Sequence, residues 1–302
     1  MSTHLGVDFL RGIAMRAPNA LDATDFYIRN WGLEFHSQSA DTVYFRGCGP
    51  EQYIYSIRKD PVFGIDYVNL GMTSRERVDA LHARLAGLGV ALLGKPDVLE
   101  TPGGGYGFTL VDPDNRRLRI SADVARHKNA GEPVARPAKV THVVLNSGDM
   151  DGLQKFYEDA LGFRVSDYSA NQMVFLRCAS DHHSIALVRS VYPSVNHVAF
   201  EMGTVDSFMR GIGRMKTLGQ SPAWGPGRHG PGNNPFAYFV SPSGFVIEFT
   251  AEVQQIDESS HVPQVWPRDV PEKMDVWMTA GPPTPAMRTV MQGRPDPGFP
   301  KG

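Results

Sequence analysis

The sequence predicts an α+β protein built from four βαβββ units paired into two similar domains, and three observations carry that expectation. Segments repeat at an offset of about 130 residues. The run Asp25-Phe26-Tyr27-Ile28-Arg29-Asn30-Trp31-Gly32-Leu33-Glu34-Phe35 resembles Lys155-Phe156-Tyr157-Glu158-Asp159-Ala160-Leu161-Gly162-Phe163-Arg164-Val165. Both read as a helix stopped by Gly, which accepts positive φ without a Cβ penalty, and then a strand. A second pair joins Phe108 to Asp114 with Tyr238 to Gly244, each a strand that runs into a Pro-containing turn. Each half then divides again into two units ordered strand, helix, alternating strands.

Taken in order, the first unit runs from Asp8 to Arg58, with a helix over 21–30 and a β-rich run from Asp41 to Arg46. The second runs from Asp66 to Asp123. Its helix, expected over 74–88, places Val78, Leu81, Leu85 and Leu88 on one face. Its last strand is expected from Leu118 to Ser121. The third unit, Lys139 to Val188, takes a helix over 150–160 and a strand from Ser184 to Val188. The fourth, Asn196 to Glu252, takes a helix over 205–218 and a strand from Phe245 to Thr250. Residues 1–128 therefore read as an N-terminal domain, 129–138 as a linker, and 139–302 as a second domain with a Pro-rich tail. The join, His127 to Ala138, is polar and contains Gly and Pro. Much of the tail from Gln254 onward is expected to wrap the second domain; if Trp266, Trp277 and Met278 are buried, it is too long to be a simple disordered end.

A formal net charge of -2 over 302 residues argues against broad nucleic-acid or membrane-surface binding. The chain has no apolar run long enough for a transmembrane span. Met1 to Leu5 lack a basic segment leading into an apolar stretch, so a secretory signal is not expected. Cys48 and Cys178 stand far apart without a CxxC pattern and read as small buried hydrophobes, consistent with a reduced, cytoplasmic setting.

Three strand-like runs in the second half carry metal-ligand side chains: His142 in Thr141–Val144, His197 in Asn196–Phe200, and Glu248 in Val246–Phe249. Two neutral imidazoles and one carboxylate suit a non-haem Fe(II) site that keeps positions open for substrate and O2; Mn(II) accepts the same set. A lone strand histidine is more often structural than ligating. The repeat changes that balance, because paired units set their first strands side by side and let the three side chains converge. The first half serves as an internal control. Its corresponding positions fall near Gly12, Tyr67 and Arg119, none an ordinary Fe(II) ligand, so the scaffold itself does not demand His, His and Glu. A buried glutamate without a cation would also cost several kcal/mol.

The pattern around the triad resembles the type I extradiol ring-cleaving dioxygenases of the vicinal oxygen chelate superfamily. The resemblance covers most of the chain and is strongest from His142 to Glu252. It rests on Thr141-His142, Asp181-His182-His183-Ser184, Asn196-His197, the stretch Gly227 to Asn234, Tyr238 and Glu248. It implies a metal site in a barrel-like C-terminal domain. His183 would be the acid/base residue, since an imidazole can take and return a proton near neutral pH. Tyr238 would hydrogen-bond a substrate oxygen, and His229, on a Gly- and Pro-rich loop, would donate to substrate or oxygen. Asn233 and Asn234 would supply polar substrate contacts, and Trp224 and Phe236 either line the pocket or pack in the core. Strand alternation would turn His182 to the opposite face, as a structural residue. The implied reaction is cleavage of a catecholic ring with O2 beside the diol, in aromatic catabolism, by a homo-oligomer. Two other readings stay open: another two-His-one-Glu oxygenase of this fold, and a metal-free module that binds a small ligand. Monocyclic, bicyclic and heteroaromatic diols all remain candidates.

Overall fold

The first unit consists of β1 (Phe9–Ala17), a single wide helical turn (Phe26–Asn30), β2 (Glu34–Gln38), β3 (Thr42–Arg46) and β4 (Tyr55–Lys59). The second is β5 (Gly64–Gly71), α1 (Arg75–Gly87), β6 (Asp97–Val98), β7 (Tyr106–Val111) and β8 (Arg117–Ala122). The third is β9 (Lys139–Ser147), α2 (Met150–Leu161), β10 (Arg164–Ser169), β11 (Met173–Arg177) and β12 (Ile185–Arg189). The fourth is β13 (Ser194–Glu201), α3 (Val205–Thr217), β14 (Trp224–Arg228), β15 (Pro235–Val240) and β16 (Val246–Thr250). Beyond them lie β17 (Gln264–Trp266), α4 (Pro271–Met274) and α5 (Pro285–Gln292). These elements come from a computed structural model that describes residues 5–128, 131 and 134–299. Met1 to His4, and Asn129, Ala130, Glu132 and Pro133 of the expected linker, lie outside the described residues.

The α+β class and the four-unit order are those the sequence predicts. Three helices start where a side-chain cap satisfies a free N–H: Ser74 accepts from Arg77, Asp149 from Gly152 and Thr204 from Ser207. Gly162 ends α2 at φ 76. The first helix is a correction. Instead of spanning 21–30 it closes one turn at Phe26–Asn30, which buries Tyr27 and Trp31 completely. Its exposed carbonyls are taken by Arg214 of α3, whose guanidinium donates to the oxygens of Asn30 and Trp31 at 2.9 Å each. Gly32, at φ 85, follows because a Cβ there would lie 2.5 Å from that guanidinium.

The strands form two sheets, ordered β2-β3-β4-β1-β5-β8-β7-β6 and β14-β15-β16-β13-β9-β12-β11-β10-β17. The central pairs, β1 with β5 and β9 with β13, are antiparallel and share their irregularities. Gly12 faces Asn69 and Ala14 faces Tyr67, as His142 faces Ala199 and Val144 faces His197. Asn69 is beside Arg119 in β8, as Ala199 is beside Glu248 in β16. The repeat therefore equates Gly12 with His142, Tyr67 with His197 and Arg119 with Glu248 by strand register.

One apolar core runs through both halves, from Val7 to Ala251. Trp31 of the first half stacks on Phe249 of the second at 3.7 Å between ring centroids and meets Phe200 and Phe239 edge-on. Its truncation to Ala would cost about 3–5 kcal/mol. The tail does more than wrap the second half. Its β17 adds to β10, while Asp296 returns to the first half to accept from Arg16 at 2.6 Å and from the Ile65 N–H at 2.8 Å. Trp266 is half-buried, whereas Trp277 and Met278 are exposed rather than buried.

Candidate metal centre

Strand alternation and two β-bulges aim the central side chains. On β9, Val143 and Leu145 enter the core while His142, Val144 and Asn146 line a cavity of about 860 Å³. A register shift between Val140 and His142 lets Val140 also face the core. A second shift leaves Asn196 unpaired on β13, so that Asn196 and His197 both reach the cavity although they are adjacent. On β16, Glu248 sits between the core residues Ile247 and Phe249.

His142, His197 and Glu248 converge: one ligand atom of each lies within 4.8 Å of the others, and all three residues are buried. The Nε2 atoms of His142 and His197 stand 3.2 and 3.1 Å from Glu248 Oε2. Among the described residues this is the one such cluster. Burial would raise the Glu248 pKa, but the two imidazoles, when they carry a proton toward it, outweigh burial and hold the carboxyl at about 2. Glu248 Oε1 has no hydrogen-bond partner among the described residues. A buried, ionised carboxylate with one orphan oxygen, flanked by two nitrogen donors, fits a divalent cation. Asn196 Oδ1 accepts from His197 Nδ1 at 2.8 Å, which leaves the Nε2 lone pair free, and Asn146 in turn accepts from Asn196 at 3.0 Å. The sequence pattern includes Asn196 beside His197 but assigns it no role, and it does not include Asn146. Only their place at cavity-facing strand positions beside His142 and His197 could have marked them.

The other predicted side chains divide into two groups. His183, His229 and Tyr238 line the cavity. The His183 ring lies 4.1 Å from that of His142, and burial with neighbouring imidazoles pushes its pKa well below the usual value. His229 Nε2 is 2.9 Å from the Tyr238 hydroxyl, and burial lowers the His229 pKa to about 4. Burial and the Glu248 charge push the Tyr238 phenol well above its ordinary value, so it keeps its proton. Trp224 stacks on Tyr238 at 4.9 Å and also lines the cavity, while Phe236 is fully buried beneath His229.

Asn233 and Asn234 are not brought to the cavity wall. Asn233 is exposed at φ 47 and accepts from Arg228. Asn234 is tied into the structure, its side-chain amide donating to Thr250 Oγ1 at 2.8 Å and its backbone carbonyl accepting the His229 N–H. His182 is a second correction. It precedes β12 in an irregular turn, where alternation does not apply, and its Nδ1 lies 3.0 Å from His183 Nδ1. The tail contributes Met274, Met278 and Met291 to the cavity lining. It is pinned by Asp275, which accepts four backbone N–H bonds, from Arg228, Trp277, Thr279 and Ala280. No helix among the described residues is long and apolar enough to cross a membrane.

Residues 139–249 match the Glyoxalase/Bleomycin resistance protein/Dioxygenase superfamily. The chain is 35% identical over 133 residues to metapyrocatechase 2 of Cupriavidus necator, a match covering 43% of this chain and 40% of that protein. It is 30% identical over 139 residues to 2,2',3-trihydroxybiphenyl dioxygenase of Sphingomonas paucimobilis, covering 41% and 47% respectively. The chain thus spans less than half the length of these two curated relatives. Over nearly its whole length it is similar to the Mn(II)-bound glyoxalase of Novosphingobium aromaticivorans, with 38% identity, 93% and 94% coverage and a TM-score of 0.87. It also shares the fold of homoprotocatechuate 2,3-dioxygenase from Arthrobacter globiformis, at 20% identity, 95% and 93% coverage and a TM-score of 0.84.

Proposed function

We propose that this chain, which belongs to the glyoxalase/bleomycin resistance protein/dioxygenase superfamily, is an extradiol dioxygenase that opens a catecholic ring with O2 beside the diol. In this reading residues 139–302 form the catalytic part and His142, His197 and Glu248 hold the metal. The observation that carries it is the convergence of two histidines and a glutamate, with both histidines lining the same cavity as His183 and the His229–Tyr238 pair. A divalent iron or manganese ion held by that set supplies the Lewis-acid and redox centre at which a diol and O2 meet.

The chain's own residues account for the proton traffic. With a divalent ion bound, the one carboxylate of Glu248 would leave a single positive charge, which would favour a singly deprotonated diol. His183, neutral because it is buried, takes the diol proton and returns it as the ring opens. Tyr238 keeps its proton and hydrogen-bonds the substrate oxygen, with His229 fixing the phenol from behind. Met274 and Met291 of the tail give the cavity apolar surface beside these groups. Both atoms of O2 enter the product, and the ring C–C bond next to the diol breaks.

The test is anaerobic loading with Fe(II), and separately with Mn(II), followed by a panel of catechols and O2. The expected result is a yellow ring-opened product with one O2 consumed per catechol. Absence of O2 uptake with every catechol and both metals would refute the reading. The name of the full-length Novosphingobium relative favours a second reading, glyoxalase-type isomerisation. Turnover of a thiol hemithioacetal without O2 uptake would select it.

A further inference from the structure

His182 Nε2 lies 3.0 Å from Asp167 Oδ2, and His182 Nδ1 lies 3.0 Å from His183 Nδ1. The three side chains form a buried line from β10 to the cavity wall, with Asp167, His182 and His183 all under one-tenth exposed. Asp167 accepts two further hydrogen bonds from β17, the Gln264 N–H at 2.8 Å and Trp266 Nε1 at 2.7 Å. Gln264, Trp266 and His183 thus enclose one carboxylate and one imidazole, and Phe175 closes the side at 5.5 Å from the His182 ring. Gly232, at φ 77, presses the Gly-rich loop onto the pair: a Cβ there would be 3.2 Å from His182 Nδ1 and 3.3 Å from His183 Cε1.

Proton counting fixes the direction of the chain of bonds. A carboxylate only accepts, so His182 must donate to Asp167 through Nε2–H. A neutral imidazole has one N–H, so His182 Nδ1 then carries a lone pair. His183 must therefore donate through Nδ1–H, which leaves its Nε2 bare. That nitrogen has no hydrogen-bond partner among the described residues, and His183 faces the cavity. Asp167 is held ionised: burial raises its pKa, but the bond from His182 and those from Gln264 and Trp266 outweigh burial. Burial keeps His182 neutral.

We propose that Asp167 and His182 are positioning residues that lock His183 in the tautomer with its proton on Nδ1 and its Nε2 lone pair turned to the substrate cavity. Trp266 and Gln264 complete the lock, so docking of the tail strand onto β10 and orientation of His183 are one event. The consequence for chemistry rests on the ring-cleavage reading; the tautomer itself does not.

The experiment combines a spectroscopic and a kinetic arm. Protein labelled with 15N-histidine and loaded with diamagnetic Zn(II) is expected to show His183 protonated on Nδ1 and bare on Nε2. In the Fe(II) enzyme, His182→Phe is expected to lower kcat about 10–100-fold with unchanged metal content and a catechol KM within about twofold. His182→Gln, whose amide oxygen can accept from His183 Nδ1–H, is expected to recover most of that loss. A His183 proton on Nε2 in the unaltered protein overturns the proposal even if ring cleavage is observed. So does a His182→Phe variant that keeps full kcat. If the unaltered protein cleaves no catechol, the ring-cleavage reading falls, and the spectrum still decides the tautomer.

Discussion

The two halves have the same strand order around their central pair and the same bulge before the first metal-site position, yet differ in what fills the three register-equivalent positions. In the second half His142, His197 and Glu248 bring donor atoms together. In the first half Gly12 leaves no room: a Cβ would lie 2.3 Å from the carbonyl oxygen of Ile54. Arg119 lies over the Tyr67 ring at 3.8 Å, and Tyr67 is hydrogen-bonded to Tyr53 at 2.9 Å. The equivalent backbone bond is kept on both sides, Ile13 to Ile54 and Val143 to Ser184, each at 3.0 Å. The fold therefore tolerates either filling, and the His-His-Glu cluster is an addition to the scaffold rather than a requirement of it.

The sharpest way to break this comparison is to remove Glu248. Glu248→Ala is expected to abolish metal retention and lower turnover by roughly 100-fold or more, measured by metal analysis and O2 uptake. Arg119→Ala is expected to change neither. Moving the triad into the first half by Gly12→His, Tyr67→His and Arg119→Glu is expected to bind no metal, because the first of these has no space. Metal bound there by the triple variant would show that the first half lacks only ligands.

Next in size is His183→Phe, expected to keep the metal and slow turnover by about 100-fold. Unchanged turnover at neutral pH would remove His183 from the proton path. A smaller effect separates the two halves by pH. Asp112, in the turn after β7, is buried; desolvation raises its pKa to about 6 against the pull of Arg116, whereas the matching turn residue is Ser241. A carboxyl with a raised folded-state pKa contributes stability below its unfolded value of 3.8 and loses it as pH rises through about 6. Over that window the first half should weaken the fold by about 3 kcal/mol. Asp112→Asn should flatten the slope in denaturant unfolding between pH 4 and 7, and an unchanged slope would assign the dependence elsewhere. The smallest effect is Gly12→Ala, expected to cost about 1–3 kcal/mol by backbone displacement, measured as a shift in urea midpoint without loss of bound metal.

Much of this could be read in the chain. Repetition of the Gly-stopped helix and the Pro turn revealed four units, because local propensity and apolar periodicity are written residue by residue. His142, His197 and Glu248 stood out because strand registers in a duplicated fold align positions predictably. Other features were not local. The first helix is short where Trp31 leaves it to pack into a core supplied by the other half and Arg214 caps it from α3. The Asn234 side chain is held by Thr250 instead of lining the cavity. His182 left the strand pattern because the backbone turns before β12, and only that turn joins Asp167 to His183. By itself the sequence determined the units, their order and the three donor positions, since those depend on short-range patterns and register. Tertiary structure decided the hydrogen-bond direction at His183, the cavity's apolar wall and the path of the tail. Each of these depends on partners distant in sequence whose burial sets which polar atoms must pair.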